Sequence, residues 1–387
     1  MPYVYLDHNA TTPLDPDVRA AMAPWWADGF GNASSLHAAG RRARAAVEAA
    51  RQTVLERLGD PAGQLVFTSG GTEADNLALL GAAEHRAAAG RHLIVSAIEH
   101  HAVLHAAEAL ARRGWRVTTL PVDAEGLVDL AALRRALTSE TVLVSVMHAN
   151  NEVGTIQPIA EIAALAHAHG AWVHTDAVQS FGKIPVDVRA LGVDLLTISA
   201  HKLYGPKGAG ALYVRRGATV APQHVGGPHE HGLRAGTEAV ATIVGLGKAV
   251  ELSVARLPAW AAVARRRDAL VAGLQARLPD VRLNGHPTAR VPNTANVSFL
   301  GCEGEALLIA FDLDGIGVST GAACASGSTA PSHVLIAMGL PEPQRRGSIR
   351  FSLGLTTSEA EIADVLARIP AGVTRMRGVA AAAGSAC

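Results

Sequence analysis

The 387-residue sequence has very little lysine: Lys183, Lys202, Lys207 and Lys248 stand against thirty arginines. Arginine can replace lysine wherever a surface cation is enough. It cannot replace a lysine that must form an imine or lose its proton near neutral pH. A lysine kept in this background is therefore either a chance surface residue or a residue with chemistry of its own, and the count alone leaves both readings open.

The chain also has no net charge, only three cysteines and no long apolar runs. Its 34 basic and 34 acidic side chains cancel, which disfavours direct binding of nucleic acid. No apolar run reaches the roughly 18 residues of a membrane span, and the N-terminus has no signal-peptide pattern. Cys302, Cys324 and Cys387 are too few and too scattered for a disulfide framework or a zinc site. We therefore expect a cytoplasmic protein with no metal site and no membrane contact.

Short apolar runs alternate with helical patterns over most of the chain. Strands are predicted at 65–67, 93–96, 116–120, 142–147, 171–174, 194–198 and 210–214, and helices at 40–58, 72–89, 101–113, 129–137 and 159–169. This alternation predicts an α/β fold with a mostly parallel sheet that is covered on both faces.

The rhythm changes in the last third of the chain. Two helices are predicted at 238–257 and 259–278, followed by a strand at 295–299, a helix at 303–311, a strand at 348–353 and a helix at 358–369. We expect a large α/β domain over 15–258. A smaller α+β domain would combine 1–14 with 259–387.

Three features point to chemistry, and each is weak alone. Gly70 and Gly71 form a turn before a helix, where free N–H groups and the helix dipole suit a phosphate, although a plain tight turn is the commoner case. Asp176 and Lys202 each follow a predicted strand, where open α/β sheets bind ligands. Together they match pyridoxal phosphate (PLP), which needs a lysine for its imine, a carboxylate for its ring nitrogen and a phosphate cradle.

The surrounding motifs make the sequence recognisable. Residues 193–202 and 208–210 resemble the lysine motif of class V aminotransferases, and residues 5–13, 67–73, 99–100, 147–152, 176–180, 234–237 and 348–352 resemble cysteine desulfurases of the NifS/IscS type. The resemblance covers residue 5 to about 370. It implies a homodimer with the type I fold of PLP-dependent transferases, in which the large domain holds a mostly parallel sheet of seven strands.

The resemblance also assigns roles to individual residues. Lys202 would carry the cofactor imine and move the substrate's α-proton, while Asp176 would pair with the ring nitrogen and Gln179 with the phenolic oxygen. His100 would stack on the ring and act as acid or base.

The phosphate of the cofactor would be held by Gly71, Thr72, Ser199 and His201, and Thr237 would reach it from the other subunit. Asn151 and Arg350 would bind the substrate carboxylate, with a ring contact as the alternative for Asn151.

Cys324 decides the reaction that the resemblance implies. It lies in a small, polar stretch at about 318–331, where desulfurases keep their nucleophile. Its thiolate would attack the sulfur of cofactor-bound L-cysteine, release L-alanine and keep the sulfur as a persulfide for a sulfur-accepting protein. We expect Cys302 to be structural and Cys387 to have no role.

Several readings remain open beside this one. A selenocysteine lyase, or another PLP lyase or aminotransferase, would share the fold, and a non-catalytic scaffold in a sulfur-transfer complex is a third alternative. The acceptor could serve iron–sulfur cluster assembly, tRNA thiolation or DNA phosphorothioation. His100, His101 and His105 could place two histidines on one face of a helix, but the sequence suggests no third metal ligand, so solvated or capping histidines are favoured over a metal site.

Overall fold

The computed structural model describes residues 3–320 and 331–384, with side chains described as far as residue 378. The strands are β1 (Val4–Tyr5), β2 (Gln64–Thr68), β3 (His92–Ser96), β4 (Arg116–Leu120), β5 (Thr141–Ser145), β6 (Trp172–Asp176), β7 (Leu195–Ser199), β8 (Gly210–Val214), β9 (Val281–Asn284), β10 (Thr294–Phe299), β11 (Ile316–Gly317) and β12 (Ser348–Ser352).

Helices fill most of the chain between these strands. They are α1 (Pro16–Met22), α2 (Ala38–Arg57), α3 (Gly71–Arg86), α4 (His101–Arg112), α5 (Leu130–Ala136), α6 (Ile159–His167), α7 (Val188–Leu191), α8 (Val240–Ala255), α9 (Trp260–Arg277), α10 (Gly304–Leu313), α11 (His333–Ala337), α12 (Glu342–Arg346) and α13 (Glu359–Gly384). Side-chain caps fix several starts; for example, Asp129 accepts hydrogen bonds from two N–H groups of α5.

Within the described residues, seven strands form the main sheet in the order β2-β8-β7-β6-β5-β3-β4. Strands β3 to β7 pair in parallel, while β8 runs antiparallel to both β2 and β7. Every residue of β3, β5, β7 and β8 is buried, as expected for a sheet that is covered on both faces. The predicted mostly parallel, seven-stranded sheet is confirmed.

Alternating side chains of the main sheet pack into two apolar layers. Ile94, Val144 and Leu196 face one layer together with side chains of α2 and α8. Leu93, Leu143 and Leu195 face the other, together with side chains of α3 and α4. This period of two follows from the pleat of the strands.

A second, smaller sheet has its own core. Strands β9, β10 and β12 pair antiparallel in the order β12-β10-β9, and α9 and α13 pack beside them around Phe299, Phe311 and Phe351. Strand β1 pairs with β11, and Leu6 joins this second core. We propose the domain boundaries 15–258 and 1–14 with 259–387 on this basis.

The last helix is longer than the sequence predicts. The helix predicted at 358–369 continues through Pro370 to Gly384. The predicted end at residue 369 was wrong: Pro370 costs the helix one hydrogen bond, but Val373 beyond it is buried in the second core. No helix of residues 3–320 or 331–384 combines the length and the apolar character of a membrane span.

Candidate active site

The carboxyl ends of three strands meet at one edge of the main sheet. Asp176 ends β6, Ser199 ends β7 and Thr68 ends β2. The first residue of β8, Gly210, pairs with both Thr68 and Ser199 and therefore joins the last two ends. A 3₁₀ turn, Ala200–Lys202, follows β7 directly and brings Lys202 to the same edge. The strand-end features predicted from the sequence thus belong to one site.

The turn before α3 borders an open cleft. The cleft has a volume of about 320 Å³ and is lined by Ala10, Thr11, Ser69, Gly70, Gly71, Thr72, Glu73, Ser199, His201, Lys207 and Gly208. Here the N-terminus of α3 presents backbone N–H groups that the helix itself does not use. Among the described residues, the buried Ser199 hydroxyl has no hydrogen-bond partner. An anion in this cleft would accept hydrogen bonds from these backbone N–H groups and from the Ser199 hydroxyl.

Close backbone approach shapes that cleft. A Cβ atom added at Gly210 would lie 2.5 Å from the carbonyl carbon of Gly70, so the turn can sit against β8 only if residue 210 is glycine. His201 packs on the other side, with its Nδ1 3.2 Å from the Thr11 hydroxyl. Burial, together with the charges of Lys202 and Lys207, lowers the pKa of His201 to about 4, so the ring is neutral at neutral pH.

Asp176 is a buried carboxylate at the centre of the site. It accepts a hydrogen bond of 2.8 Å from the Val178 N–H. Burial raises the pKa of Asp176 to about 6, although this hydrogen bond and the charge of Lys202 both act in the opposite direction. A cationic ring nitrogen beside Asp176 would lower this raised pKa, because an opposite charge favours the ionised carboxylate.

Two further carboxylic acids lie buried behind Asp176. Burial and the charge of Asp176 raise the pKa of Asp75 well above its ordinary value. Burial raises the pKa of Glu99 to about 8, while Glu99 Oε1 accepts hydrogen bonds from the Ser96 hydroxyl and the Met147 N–H. Glu99 is therefore largely protonated at neutral pH, and the raised pKa of Asp75 favours the protonated form of that acid as well.

Lys202 points its amine at two backbone oxygens. The Nζ atom donates to the Asn9 carbonyl at 2.5 Å and to the Ala10 carbonyl at 2.7 Å. The Asn9 carbonyl also accepts a hydrogen bond of 3.0 Å from Gln179 Nε2. Lys202 and Gln179 are thus held on the same acceptor, close to Asp176.

Asn9 connects the two cores at the site. Its Nδ2 donates to the Thr294 hydroxyl at 2.8 Å and to the Asn151 carbonyl at 3.1 Å. Arg350 Nη1 donates to the same Asn151 carbonyl at 3.0 Å, and its Nη2 donates to Asp7 at 2.8 Å. The predicted residues Asn151 and Arg350 are therefore brought to the Lys202 side of the fold by the first ten residues of the chain.

His100 stands at the start of α4. Its Nδ1 accepts a hydrogen bond of 3.2 Å from the Ala102 N–H, which caps the helix. Burial, followed by the positive charge of Lys202, lowers the pKa of His100 to about 4. The ring is therefore neutral at neutral pH, and with Nδ1 accepting, its proton lies on Nε2.

Comparison with known proteins agrees with this geometry. The class V aminotransferase model matches residues 4–365. The chain belongs to the class V aminotransferase family. It is 48% identical to the cysteine desulfurase IscS of Dictyoglomus turgidum over 370 residues, which cover 95% of this chain and 94% of that one.

Solved structures of this family have the same fold. A NifS-like protein superposes with a TM-score of 0.90 at 37% identity, covering 96% of this chain and 99% of that chain. SspA in complex with cysteine superposes with a TM-score of 0.81 at 36% identity, covering 90% and 98%. The predicted NifS/IscS-type membership and the type I fold are confirmed.

One predicted site residue, Thr237, does not join this cluster. Thr237 lines a different cleft of about 280 Å³, together with Trp26, Phe30 and Asn32. Cys324, most of its predicted loop and Cys387 lie outside the described residues. Cys302 is buried in the second core, as expected of a structural cysteine.

Other residues of the site went unassigned at the sequence level. Asp7 and Asn9 lie inside a recognised motif, yet their contacts with Arg350 and Thr294 are visible only in the fold. Lys183 had one available signal, namely that lysine is so rare in this chain. Within the described residues, no group of three or more His, Cys, Asp or Glu side chains is arranged to hold a metal ion.

Proposed function

We propose that this chain is a PLP-dependent cysteine desulfurase, which converts L-cysteine to L-alanine and keeps the sulfur as a persulfide on Cys324. The observation that carries the proposal is the meeting of Lys202, Asp176 and the turn before α3 at one sheet edge. The near-full-length similarity to an IscS cysteine desulfurase supports the choice of substrate.

The residues of the site fit PLP. Its phosphate would occupy the cleft at Gly71, Thr72, Ser199 and His201, where the Ser199 hydroxyl lacks a partner among the described residues. Asp176 would face the ring nitrogen. When bound, PLP supplies an electron sink that acidifies the substrate's α-carbon.

Three side chains would complete the contacts with the ring. Lys202 would hold the cofactor covalently and, once released, move the α-proton. Gln179 would donate from Nε2 to the phenolic oxygen. The neutral ring of His100 would lie against the cofactor ring and donate or accept a proton there.

Arg350 is suited to bind the substrate carboxylate. Its guanidinium group already donates to Asp7 and to the Asn151 carbonyl, which fixes its plane. Its buried Nε has no partner among the described residues. A carboxylate that reaches Nε and one Nη would use the planar fork of arginine, and the Asn151 amide would be its neighbour. The SspA structure with cysteine supports a cysteine site on this fold.

The segment that carries Cys324 is attached to the site at both ends. Before it, Ser319 pairs with Arg350 through backbone hydrogen bonds in both directions. After it, the Ser332 hydroxyl donates to the buried Glu152 carboxylate at 2.6 Å, and His333 Nε2 lies 3.0 Å from the Glu99 carbonyl. These contacts belong to the described residues on either side of 321–330, and one of them joins Ser319 to the proposed substrate-binding arginine.

Cys324 would carry out the sulfur transfer. Its thiolate attacks the substrate's sulfur, an S–S bond forms and the C–S bond breaks. The electron pair left on carbon is neutralised by a proton, so that cysteine and one enzyme thiol become alanine and one persulfide. No external oxidant or reductant is needed for this step. A sulfur-accepting protein, of iron–sulfur assembly or of thiolation, would then take the sulfur in the cytoplasm.

We further propose that the enzyme is a homodimer in which Thr237 serves the partner's site. Phe30, which lines the cleft that contains Thr237, is 82% exposed, and Leu36 further along the same segment is 90% exposed. Arg234 ties this segment to Glu73 beside the phosphate cleft at 2.7 Å. An exposed apolar surface next to a polar residue with no local role fits a second copy of the chain.

Turnover of L-cysteine by the purified protein tests the proposal. We expect alanine and, with a reductant, sulfide from the wild type and from the control Cys387→Ala. Neither product should form with Lys202→Ala or Cys324→Ala. Full activity of Cys324→Ala would contradict the persulfide step. Faster turnover of selenocysteine than of cysteine would favour a selenocysteine lyase. Transfer of an amino group to a keto acid would favour an aminotransferase, and the absence of any turnover would favour a non-catalytic scaffold.

Mixed dimers test the role of Thr237. Dimers that combine a Lys202→Ala chain with a Thr237→Val chain contain one intact site if Thr237 acts across the interface. Their activity should then exceed that of both parent proteins. If Thr237 acts within its own chain, neither site is intact, and the activity of the mixture would stay at the parental level.

A further inference from the structure

Lys183 is a buried lysine directly behind the site. It lies in the segment between β6 and α7 and is only 3% exposed. Its Nζ donates to Gln179 Oε1 at 2.8 Å and to Asn9 Oδ1 at 3.2 Å. Within the part of the chain that the structure describes, no carboxylate forms an ion pair with it. A buried lysine whose acceptors are two amides is unusual, since buried charges are normally paired.

The surroundings of Lys183 favour the neutral amine. Burial, followed by the positive charges of Lys202 and Arg350, lowers the pKa of Lys183 well below its ordinary value. A neutral amine has two N–H groups, and the two amide oxygens match them one to one. Protonation would add a third N–H and a second positive charge beside Lys202. In either protonation state, Lys183 is a hydrogen-bond donor to these two amide oxygens.

This donor determines which end of the Gln179 amide faces the site. Because Oε1 accepts from Lys183, Nε2 must point the other way, toward the Asn9 carbonyl at 3.0 Å. A flipped amide would lose the hydrogen bond that Oε1 accepts from Lys183, and it would turn Oε1 against the Asn9 carbonyl oxygen. The same Asn9 carbonyl accepts from Lys202, so the NH₂ end of Gln179 lies on the Lys202 side.

Lys183 also completes the bonding of Asn9. Asn9 Oδ1 accepts from Lys183 and, at 2.9 Å, from Asn293 Nδ2, while Nδ2 of Asn9 donates to Thr294 and Asn151. All side-chain polar atoms of Asn9 are thus used. The carbonyl of Asn9 that receives Lys202 is held in place by this set of bonds.

We propose that Lys183 is a positioning residue, which holds Gln179 and Asn9 so that Gln179 presents N–H, and not C=O, to the phenolic oxygen of PLP. The inference rests on the proposed function. Lys183 does not touch the substrate or the cofactor in this scheme. It acts through Gln179, and this makes the proposal testable by comparing the two residues.

The test is a pH titration of the visible absorption band of the PLP-loaded protein without cysteine. A donor to the phenolic oxygen stabilises its anion and so lowers the pH at which the adjoining nitrogen of Lys202 loses its proton. Lys183→Met removes the amine at similar length. We expect its titration midpoint to rise by about one pH unit, which corresponds to about 1.4 kcal/mol. Gln179→Leu should produce a similar rise.

The double variant separates positioning from a general effect. If Lys183 acts through Gln179, Lys183→Met with Gln179→Leu shifts the midpoint no further than Gln179→Leu alone. Lys248→Met is the matched control, because it removes a lysine that pairs with Glu251 on α8, away from the site. Its midpoint should equal that of the wild type.

Four results would overturn the proposal. One is an unchanged midpoint in Lys183→Met when Gln179→Leu shifts it, and another is a double variant whose shift is the sum of the two single shifts. If Lys183→Met does not fold, Lys183→Gln keeps an N–H donor and should show a shift smaller than that of Gln179→Leu; an equal shift would count against the proposal. A wild-type protein that gains no visible band with PLP would overturn the proposed function and this inference with it.

Discussion

Replacing Asp176 with asparagine should stabilise the cofactor-free protein and weaken its hold on PLP. Asp176 is buried, and burial raises its pKa from the ordinary 3.8 to about 6. The ionised carboxylate is thus unfavourable in the empty site. A cationic ring nitrogen is the partner that would make it favourable, so one substitution should have opposite effects in the two forms.

The size of the effect follows from the two pKa values. The native pKa exceeds the unfolded one, so the native state holds its proton more tightly and stability falls as pH rises from about 4 to about 6. Above that window the full difference applies, and two pKa units correspond to about 3 kcal/mol. Asp176→Asn should therefore add up to about 3 kcal/mol at pH 8, and the gain should shrink toward zero near pH 4.

The assay is urea unfolding of the cofactor-free protein at several pH values, together with PLP binding by equilibrium dialysis. Asp75→Asn is the matched control, because Asp75 is equally buried and its pKa is also raised, yet it has no expected contact with PLP. Both variants should be more stable than the wild type at pH 8. Only Asp176→Asn should bind PLP about 10- to 100-fold more weakly, the loss expected for a hydrogen bond to a charged group.

Two results would refute this reasoning. Equal loss of PLP affinity in both variants would mean that Asp176 is no more than one buried acid among several. A cofactor-free Asp176→Asn protein that is less stable than the wild type at pH 8 would mean that the carboxylate is already favourably paired in the empty site.

Three more predictions follow from other contacts. Glu230→Gln breaks the buried pair with Arg51 (2.8 and 3.0 Å) and should cost about 3–5 kcal/mol in urea unfolding. Gly210→Ala pushes a methyl group against Gly70. Its cost in the free energy of PLP binding, measured by dialysis, should exceed its cost in the free energy of unfolding. The pKa of His100 is about 4, so its ring should show no proton NMR titration step between roughly pH 6 and pH 9.

The sequence allowed the main sheet and the strand-end residues to be predicted. Continuous apolar runs identify buried strands, and in an open α/β sheet a residue that directly follows such a strand lies at the ligand-binding edge. Asp176 and Lys202 could be placed by that rule. The length of α13 could not, because the burial of Val373 in the second core, beyond Pro370, is a tertiary contact.

The residues that hold the site residues in place could not be predicted, because their contacts join positions that are far apart in the sequence. Asn9 bonds to residues 142 to 285 positions away, and no local pattern marks such pairs. The raised pKa of Asp75 and the lowered pKa of Lys183 arise from tertiary burial and neighbouring charges. For Lys183, rarity was the one available signal, and it acquired a meaning only when the fold showed the residue buried behind Gln179.

The fate of the substrate's sulfur atom tests the persulfide step on Cys324. The PLP-loaded protein is incubated with L-cysteine carrying heavy sulfur, in the absence of reductant, and its peptides are analysed by mass spectrometry while alanine is counted. The persulfide mechanism predicts that one heavy sulfur atom is added to Cys324 for each alanine released in the first turnover. Alanine formed with the label on Cys302, on Cys387 or on no cysteine would contradict it.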